Sequence, residues 1–390
     1  MRLVAITSVK NESDMIEAFV RHTATVCDAH LILDHQSTDN TRSILHELER
    51  EGLALRVIAD SDPTSDQSAR LTRLMRLAVA EEGADWVIPL DADEFIDAPT
   101  EGLRQALAVT EEPVHVLWRS YVPSADDDLD DLNPVTRIRH RLVAEGFPWK
   151  KVLVPRAVAR DAQLGPGSHD IAEPHPHGER RLLGEVTLGH FPIRSPEQYA
   201  TKVAIANLQW SARGNRGTLG FHYHEPFRRL AAGWTDFART YAEDAKHYAL
   251  PPGVDFTPEL VHDPFPYRGG VLRHTLPLPA SEPWGSILVY ALALADTLGR
   301  TAENLGEKPA DLEQQLLTLR EQQRADRLAW EARLLEATTD LRKVSADLDR
   351  ADEERTHHLA RSEALLSSTS WRVTRPLRAL GRGLRRLRSR

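Results

Sequence analysis

The stretch Trp86-Val87-Ile88-Pro89-Leu90-Asp91-Ala92-Asp93-Glu94-Phe95 decides the fold and points to a site. Its apolar half is typical of a short buried strand, which ends in the pattern Asp-x-Asp. Alternate side chains of a strand point the same way, so Asp91 and Asp93 can converge at its carboxyl end. Two close carboxylates ionise together at low cost only if a cation lies between them. The pattern therefore predicts bound Mn²⁺ or Mg²⁺, and an ordinary acidic strand-to-loop turn is the alternative.

Strands and helices alternate ahead of this stretch. Apolar runs predict strands at 3–9, 30–33 and 55–59, and helical spacing predicts helices at 15–26, 40–50 and 67–82. Ser37 or Thr38 is expected to cap the second helix. Pro89 has no backbone donor, so the strand before the acids should stop pairing there. The alternation favours an α/β fold with a parallel, doubly wound sheet.

Three polar clusters follow the ends of predicted strands: Lys10–Asp14, Asp34–Asp39 and Asp91–Asp93. Ligands of open α/β sheets bind at the carboxyl ends of the strands. Because all three clusters fall at that edge, they favour one binding site over three independent loops.

These ordered motifs resemble the family-2-type glycosyltransferases of the GT-A fold, a Rossmann-like α/β fold with a mostly parallel sheet and flanking helices. The similarity covers roughly residues 1–125 and is carried by Lys10-Asn11-Glu12, by Asp34 to Thr41 and by Asp91-Ala-Asp-Glu-Phe95. It implies a nucleotide-diphosphate sugar as the donor. Most relatives carry a second acid where this chain has His35, which puts the base contacts there in doubt.

The resemblance also implies roles for single residues. Asp93 and Asp91, completed by a late histidine, would bind the metal; His190 is the candidate and His169 the second choice. Arg194 or Lys202 would meet the diphosphate, on a helix for which Ser195 is the N-cap and Pro196 the first residue. The donor-binding residues would be Thr7, Asn11, Glu12, Asp34, Arg73, Asp91 and Arg194.

The reaction expected from the resemblance is transfer of a sugar to a cell-envelope glycan or lipid-linked acceptor, with inversion. Inversion needs a carboxylate base, for which Asp170 is the candidate. One cysteine, Cys27, and the spacing of the histidines disfavour a structural zinc site. A nucleotidyltransferase would normally carry a glycine-rich phosphate loop, which Val9–Glu12 lacks. A catalytically degenerate scaffold is the non-enzymatic alternative.

Composition divides the chain into three parts. Residues 1–305 are predicted to form the GT-A domain, with a nucleotide-sugar half at 1–125 and an acceptor half at 126–305. Residues 306–366 are rich in Leu, Ala, Glu and Arg, and Leu334, Leu341 and Leu348 recur every seven positions. This spacing predicts a coiled coil that makes a homo-oligomer, and a single charged helix is the alternative.

The last part, residues 367–390, is a basic tail. Residues 371–390 hold eight arginines, and removing these from the net charge of −9 leaves −17 for residues 1–370. Apolar residues on one helical face beside these arginines predict an anchor on an anionic membrane surface. A solvated tail is the alternative, and nucleic acid is not expected as a partner. With no signal sequence or long apolar run, the chain is expected in the cytoplasm, peripheral on the inner face of the cell membrane.

Overall fold

A computed structural model describes residues 1–60, 66–98, 100–172, 180–212, 221–278 and 282–304. The chain separates into two compact units, Met1–Thr301 and Ala302–Arg390. The predicted coiled coil at 306–366 and basic tail at 367–390 lie outside the described residues. The predicted domain limits at 125, 305 and 366 stay predictions.

The first unit is a mixed α/β structure. Its strands are β1 (Leu3–Val9), β2 (Ala29–Asp34), β3 (Leu55–Ala59), β4 (Trp86–Pro89), β5 (Glu94–Asp97), β6 (Val114–Val122), β7 (His140–Leu142), β8 (Lys150–Pro155), β9 (Gln163–Leu164), β10 (Ile171–Ala172), β11 (Leu182–His190) and β12 (Leu260–His262). Its helices are α1 (Ile16–Thr23), α2 (Thr41–Arg50), α3 (Gln67–Ala80), α4 (Thr100–Ala108), α5 (Pro134–Arg137), α6 (Arg156–Ala159), α7 (Pro196–Ala212), α8 (His224–Ala232), α9 (Trp234–Lys246) and α10 (Glu282–Asn304). None of the helices in the described ranges has the length and apolar character needed to cross a membrane.

The N-terminal part of the main sheet is parallel, in the order β3-β2-β1-β4. The predicted strand–helix alternation is confirmed here, and β4 ends at Pro89 as expected. Beyond β4 the order continues β8-β6-β7-β12 with antiparallel pairs, while β11 runs parallel to β6 and antiparallel to β5. The sheet as a whole is therefore mixed, and its parallel character is concentrated in the first half.

Two apolar layers enclose β1, because successive side chains of a strand point to opposite faces. Leu3 and Ala5 belong to the core layer that contains α1 and α2. Val4 and Ile6 belong to the opposite layer, which contains the buried face of α3. The parallel strands are thus covered on both faces, as a doubly wound sheet requires.

The two predicted helix caps have different outcomes. Ser195 Oγ accepts a hydrogen bond from Gln198 N at 3.2 Å and α7 begins at Pro196, so that prediction is confirmed. Capping of α2 by Ser37 or Thr38 is wrong: the N-cap is Asn40, without a side-chain cap bond. The hydroxyls of Ser37 and Thr38 instead accept hydrogen bonds from Asn11, at 3.0 Å from its backbone N and 3.2 Å from Nδ2.

Glu17 of α1 binds a segment that is distant in the sequence but belongs to the same unit. Its buried carboxylate accepts hydrogen bonds from the backbone N of Arg273, His274 and Thr275, at 2.7, 2.8 and 2.7 Å. Arg21 Nε adds a fourth at 2.9 Å. Burial by itself would raise the pKa of Glu17, but these hydrogen bonds outweigh it and hold the pKa below its ordinary value.

We expect Glu17→Gln to lower the free energy of unfolding by about 2–4 kcal/mol. An amide has only one acceptor oxygen where the carboxylate has two, so buried N–H groups are left unpaired. Urea denaturation measures the loss. Glu47→Gln is the control: Glu47 pairs with Arg50 on the surface, and its change should stay within about 0.5 kcal/mol.

The contribution of Glu17 should also depend on pH. Its folded pKa is depressed, so the stabilisation is present above the unfolded pKa of about 4.3 and is lost as the pH falls through the folded pKa. Equal denaturation midpoints for Glu17→Gln and the parent at neutral pH would refute the role of Glu17.

Candidate active site

The polar clusters that follow β1, β2 and β4 come together at one edge of the sheet. Val9 pairs with Asp34 at the ends of β1 and β2, and Ile6 pairs with Pro89, immediately before the Asp-x-Asp segment. The chain runs from β1 to β2 and β3 on one side and then returns to β4 on the other. Such a reversal of strand order opens a crevice at the carboxyl ends, where α/β proteins bind ligands.

Asn11 joins the loops after β1 and β2. It has φ +55°, in the left-handed region that asparagine tolerates better than most residues. Its Oδ1 accepts a hydrogen bond from Thr38 N at 2.7 Å. Lys10 Nζ donates to the carbonyl oxygen of His35 at 2.7 Å, and burial lowers the pKa of Lys10 to about 8. Asp34 lies beneath these loops, 4% exposed, and accepts from Ser37 N at 3.1 Å.

Helix α10 covers part of the same two loops. Lys10 Nζ lies 4.2 Å from the centre of the Tyr290 ring, and Thr38 Oγ1 donates to Ser286 O at 3.5 Å. A small hollow between α10 and α7 is lined by Asn11, Ser13, Asp14, Asp39 and Thr201, among others. The loops predicted to hold base and ribose thus have a small hollow beside them, lined in part by polar residues.

Asp91 is paired with a buried lysine from a later strand. Its Oδ2 accepts from Lys151 Nζ at 2.6 Å and its Oδ1 from Gln67 Nε2 at 2.9 Å. Lys151 also lies 2.9 Å from Glu94 Oε2, and both of these side chains are fully buried. Burial raises the pKa of Glu94 to about 8 despite Lys151. Burial would lower the pKa of Lys151, but Asp91 and Glu94 outweigh it and hold that pKa above its ordinary value.

Asp93 is paired with a second lysine. Lys202 Nζ of α7 donates to Asp93 Oδ2 at 2.7 Å and to Pro192 O at 3.2 Å. Burial opposes ionisation of Asp93, yet Lys202 outweighs it and holds the pKa of Asp93 below its ordinary value. His190 Nε2 lies 4.0 Å from Asp93 Oδ1, and its ring stacks on Trp118 with centroids 4.0 Å apart. Burial lowers the pKa of His190 to about 3, so the imidazole is neutral.

Arg194 is engaged in a buried ion-pair network. It is 2% exposed, and its Nε and Nη2 donate to Asp14 at 2.7 and 2.8 Å. Nη2 also donates to Glu12 Oε2 at 2.6 Å. Burial raises the pKa of Glu12 to about 7, against the pull of Arg194. The network ties the loop after β1 to the start of α7, which carries Lys202.

The remaining predicted residues lie further from the acids or inside the sheet. Thr7 is fully buried within β1, where its hydroxyl and His30 Nε2 share a hydrogen bond of 2.8 Å. Arg73 is exposed on α3, while Arg70, one turn earlier, donates from Nε to Ser8 Oγ at 3.0 Å. Asp170 Oδ1 accepts from Arg180 and from Ile171 N. The donor-binding and base roles of Thr7, Arg73 and Asp170 stay predictions.

The residues described here do not fit a divalent cation. Both oxygens of Asp91 and Oδ2 of Asp93 already accept hydrogen bonds, two of them from ammonium groups. No three His, Cys, Asp or Glu side chains of the described ranges are grouped as metal ligands. Asp93 and His190 therefore lie near each other, but together with Asp91 they do not form the coordination shell that the sequence predicts.

A second hollow lies on the α7–α9 side of these acids. It is lined by Ser120, Glu145, Trp149, His247 and Tyr248, among others. Tyr248 connects it to the acids, because its ring lies 5.5 Å from Lys202 Nζ and 5.5 Å from the His190 ring. Glu145 accepts from the N and Oγ of Ser120 at 2.6 and 2.8 Å, and burial raises its pKa. We call this cavity the Glu145 hollow.

Comparison with known proteins gives relatives without an established role. No family model matches the chain. Two uncharacterised proteins, from Mycobacterium bovis and Mycobacterium tuberculosis, are each 32% identical to it over 153 residues. That segment is 38% of this chain and 37% of each relative, so it spans little more than a third of their length.

Three solved structures illustrate the structural neighbours. Residues 1–349 of Staphylococcus aureus TarS, in complex with UDP, have 14% identity and a TM-score of 0.34, covering 63% of this chain and 82% of that fragment. The Mycobacterium tuberculosis glucosyl-3-phosphoglycerate synthase, in complex with Mn²⁺, UDP and glucosyl-3-phosphoglycerate, has 17% identity and a TM-score of 0.25, covering 40% of this chain and 57% of the synthase chain. A Pyrobaculum calidifontis mannosyltransferase, with GDP-Man and Mn²⁺, has 16% identity and a TM-score of 0.30, covering 79% and 88%. Similarities this low carry no weight for the function of this chain.

We expect Lys151→Met to destabilise the fold by about 3–5 kcal/mol, because it leaves Asp91 and Glu94 without their buried partner. Lys150→Met is a matched control, since Lys150 is the exposed neighbour on the same strand and its loss should cost no more than about 0.5 kcal/mol. Urea denaturation of both variants makes the comparison. A Lys151→Met protein as stable as the control would show that the pairing does not support the fold.

Proposed function

We propose that the chain is a glycosyltransferase that moves a sugar from a nucleotide-diphosphate sugar to an acceptor hydroxyl. One observation carries the proposal: at the point where the strand order reverses, the ends of β1, β2 and β4 bring Asn11, Asp34, Asp91 and Asp93 to one crevice. Polar side chains on rigid strand ends suit a ligand with a base, a ribose and a diphosphate. The acceptor we propose is a cell-envelope glycan or a lipid-linked sugar.

The transfer would proceed by inversion. The acceptor oxygen forms a bond to the anomeric carbon of the donor sugar while the bond from that carbon to the diphosphate oxygen breaks. The electron pair of the broken bond leaves with the nucleoside diphosphate, and the hydroxyl proton passes to a carboxylate base. Cationic side chains near the diphosphate stabilise the charge that develops on it. Because the described residues do not fit a divalent ion, no step is assigned to one.

The Glu145 hollow suits the acceptor. Trp149 and Tyr248 offer aromatic faces for the apolar side of a sugar ring, and Glu145 and Ser120 offer polar atoms for its hydroxyls. Glu145 is our preferred base, because burial raises its pKa toward the range in which a carboxylate accepts a proton effectively. Asp170, whose pKa is held below its ordinary value by Arg180 against the effect of burial, is the weaker base of the two.

Residues 306–390 would place the enzyme at its acceptor. We propose that the heptad region 306–366 makes a homo-oligomer and that the basic tail 367–390 binds an anionic membrane surface on the cytoplasmic side. Both features rest on sequence pattern alone.

Calorimetric titration with the diphosphates of uridine, guanosine, thymidine and cytidine tests the proposal. One of them is expected to bind, and its sugar derivatives should then be hydrolysed slowly or transferred. Asp93→Ala should abolish that donor turnover with the fold retained. Asp97→Ala, which removes the partner of Arg119 at the end of β5, should leave it unchanged. Failure of every nucleotide to bind folded protein would favour the scaffold alternative.

The assignment of the base gives a separate prediction. Glu145→Gln should lower the rate constant of donor turnover by about 10²–10⁴-fold while nucleotide affinity stays unchanged, as removal of a general base requires. Asp170→Asn serves as the comparison and should have a much smaller effect. The opposite ranking of the two variants would move the base to Asp170.

A further inference from the structure

Two ammonium groups occupy the acidic pair that the sequence assigns to a metal. Lys151 and Lys202 reach Asp91 Oδ2 and Asp93 Oδ2 at 2.6 and 2.7 Å. These distances are those of strong, charge-assisted hydrogen bonds. The oxygens that would have to coordinate a metal therefore have cationic partners supplied by the chain itself.

The two lysines have different surroundings. Lys151 has no solvent-exposed side-chain surface and lies between Asp91 and Glu94, so a metal binding there would have to displace a fully buried ammonium group. Lys202 is 19% exposed and donates to Asp93 Oδ2. Only Lys202 of these two can reach a bound ligand directly.

The ammonium group of Lys202 is held in place by fewer hydrogen bonds than it has donor protons. It carries three donor protons, and among the described residues its oxygen acceptors are Asp93 Oδ2 and Pro192 O. Asp93 is itself buried at the tip between β4 and β5, and the Arg194 network fixes the start of α7 against the loop after β1. The position of the amino group is thus determined by two elements that meet at the crevice.

We propose that Lys202 takes the place of a divalent cation, so that the site binds the donor diphosphate without metal. Asp93 orients the ammonium, and the third donor proton meets a diphosphate oxygen. During transfer the ammonium compensates the negative charge that accumulates on the leaving diphosphate. The inference deepens the proposed glycosyltransferase function and rests on it.

The inference is tested by calorimetric titration with whichever of the four nucleoside diphosphates binds, once in EDTA and once in Mn²⁺. Dissociation constants within about threefold of each other are expected, and Mn²⁺ titrated alone should give no heat of binding at the site. Lys202→Gln should weaken nucleotide binding by about tenfold or more, the loss expected for one charge-assisted hydrogen bond. Lys150→Gln, at an exposed position, should bind as the parent does.

The outcomes separate the two proposals. Nucleotide binding that occurs only with Mn²⁺ would overturn metal independence and leave the glycosyltransferase proposal intact, whereas no binding in either condition would overturn both. Metal-free binding that Lys202→Gln leaves unchanged would overturn the role of Lys202. Because Lys202→Gln leaves the buried Asp93 without its cationic partner, Lys202→Arg, which keeps the positive charge, is measured beside it. Retention of metal-free binding by Lys202→Arg, with a similar thermal midpoint, supports a role for the positive charge.

Discussion

The ion pairs of the fully buried Lys151 with Asp91 and Glu94 link the parallel half of the first unit to its antiparallel half. Lys151 comes from β8, which pairs antiparallel with β4, and the register Trp86 to Pro155 and Val87 to Val154 carries it to the tip of β4. Without that ammonium, the partly buried Asp91 and the fully buried Glu94 would be two neighbouring acids without a cationic partner. The acids that follow the parallel strand β4 therefore depend on Lys151, from the antiparallel strand β8, to compensate their negative charge.

Local pattern in the sequence predicts the parallel half of the fold well. Apolar runs place β1 and β3 at their observed limits, and helical spacing predicts the observed start of α3 at Gln67. The strand order beyond β4 is not predictable in this way, because the pairing of β4 with β8 joins segments far apart in the chain. Lys151 and Lys202 reach the two aspartates across 60 and 109 residues, and no local pattern marks them as partners.

The site shows a similar division. The positions of the acids at the strand ends can be predicted from the alternation of side chains along a strand. The direction of a side chain on a helix depends instead on the rotation of the helix about its axis. Gln67 and Arg70 occupy the first turn of α3, nearest the crevice, and Arg73 lies about one turn further away. Counting three residues, about one turn, from Gln67 at the start of α3 would have favoured Arg70 over Arg73. Ser37 and Thr38 have the right chemistry for a helix cap, but their hydroxyls accept hydrogen bonds from Asn11 instead. Capping propensity cannot show such a tertiary contact.

The bridge made by Asn11 has a thermodynamic consequence. It joins the loops after β1 and β2 while the protein folds, through Asn11 N, Oδ1 and Nδ2, so those loops lose their conformational freedom then. A ligand that enters the crevice meets groups already fixed in position and spends little of its interaction energy on ordering them. The left-handed backbone of Asn11 is thus a strain accepted at folding that leaves recognition with a smaller entropic penalty.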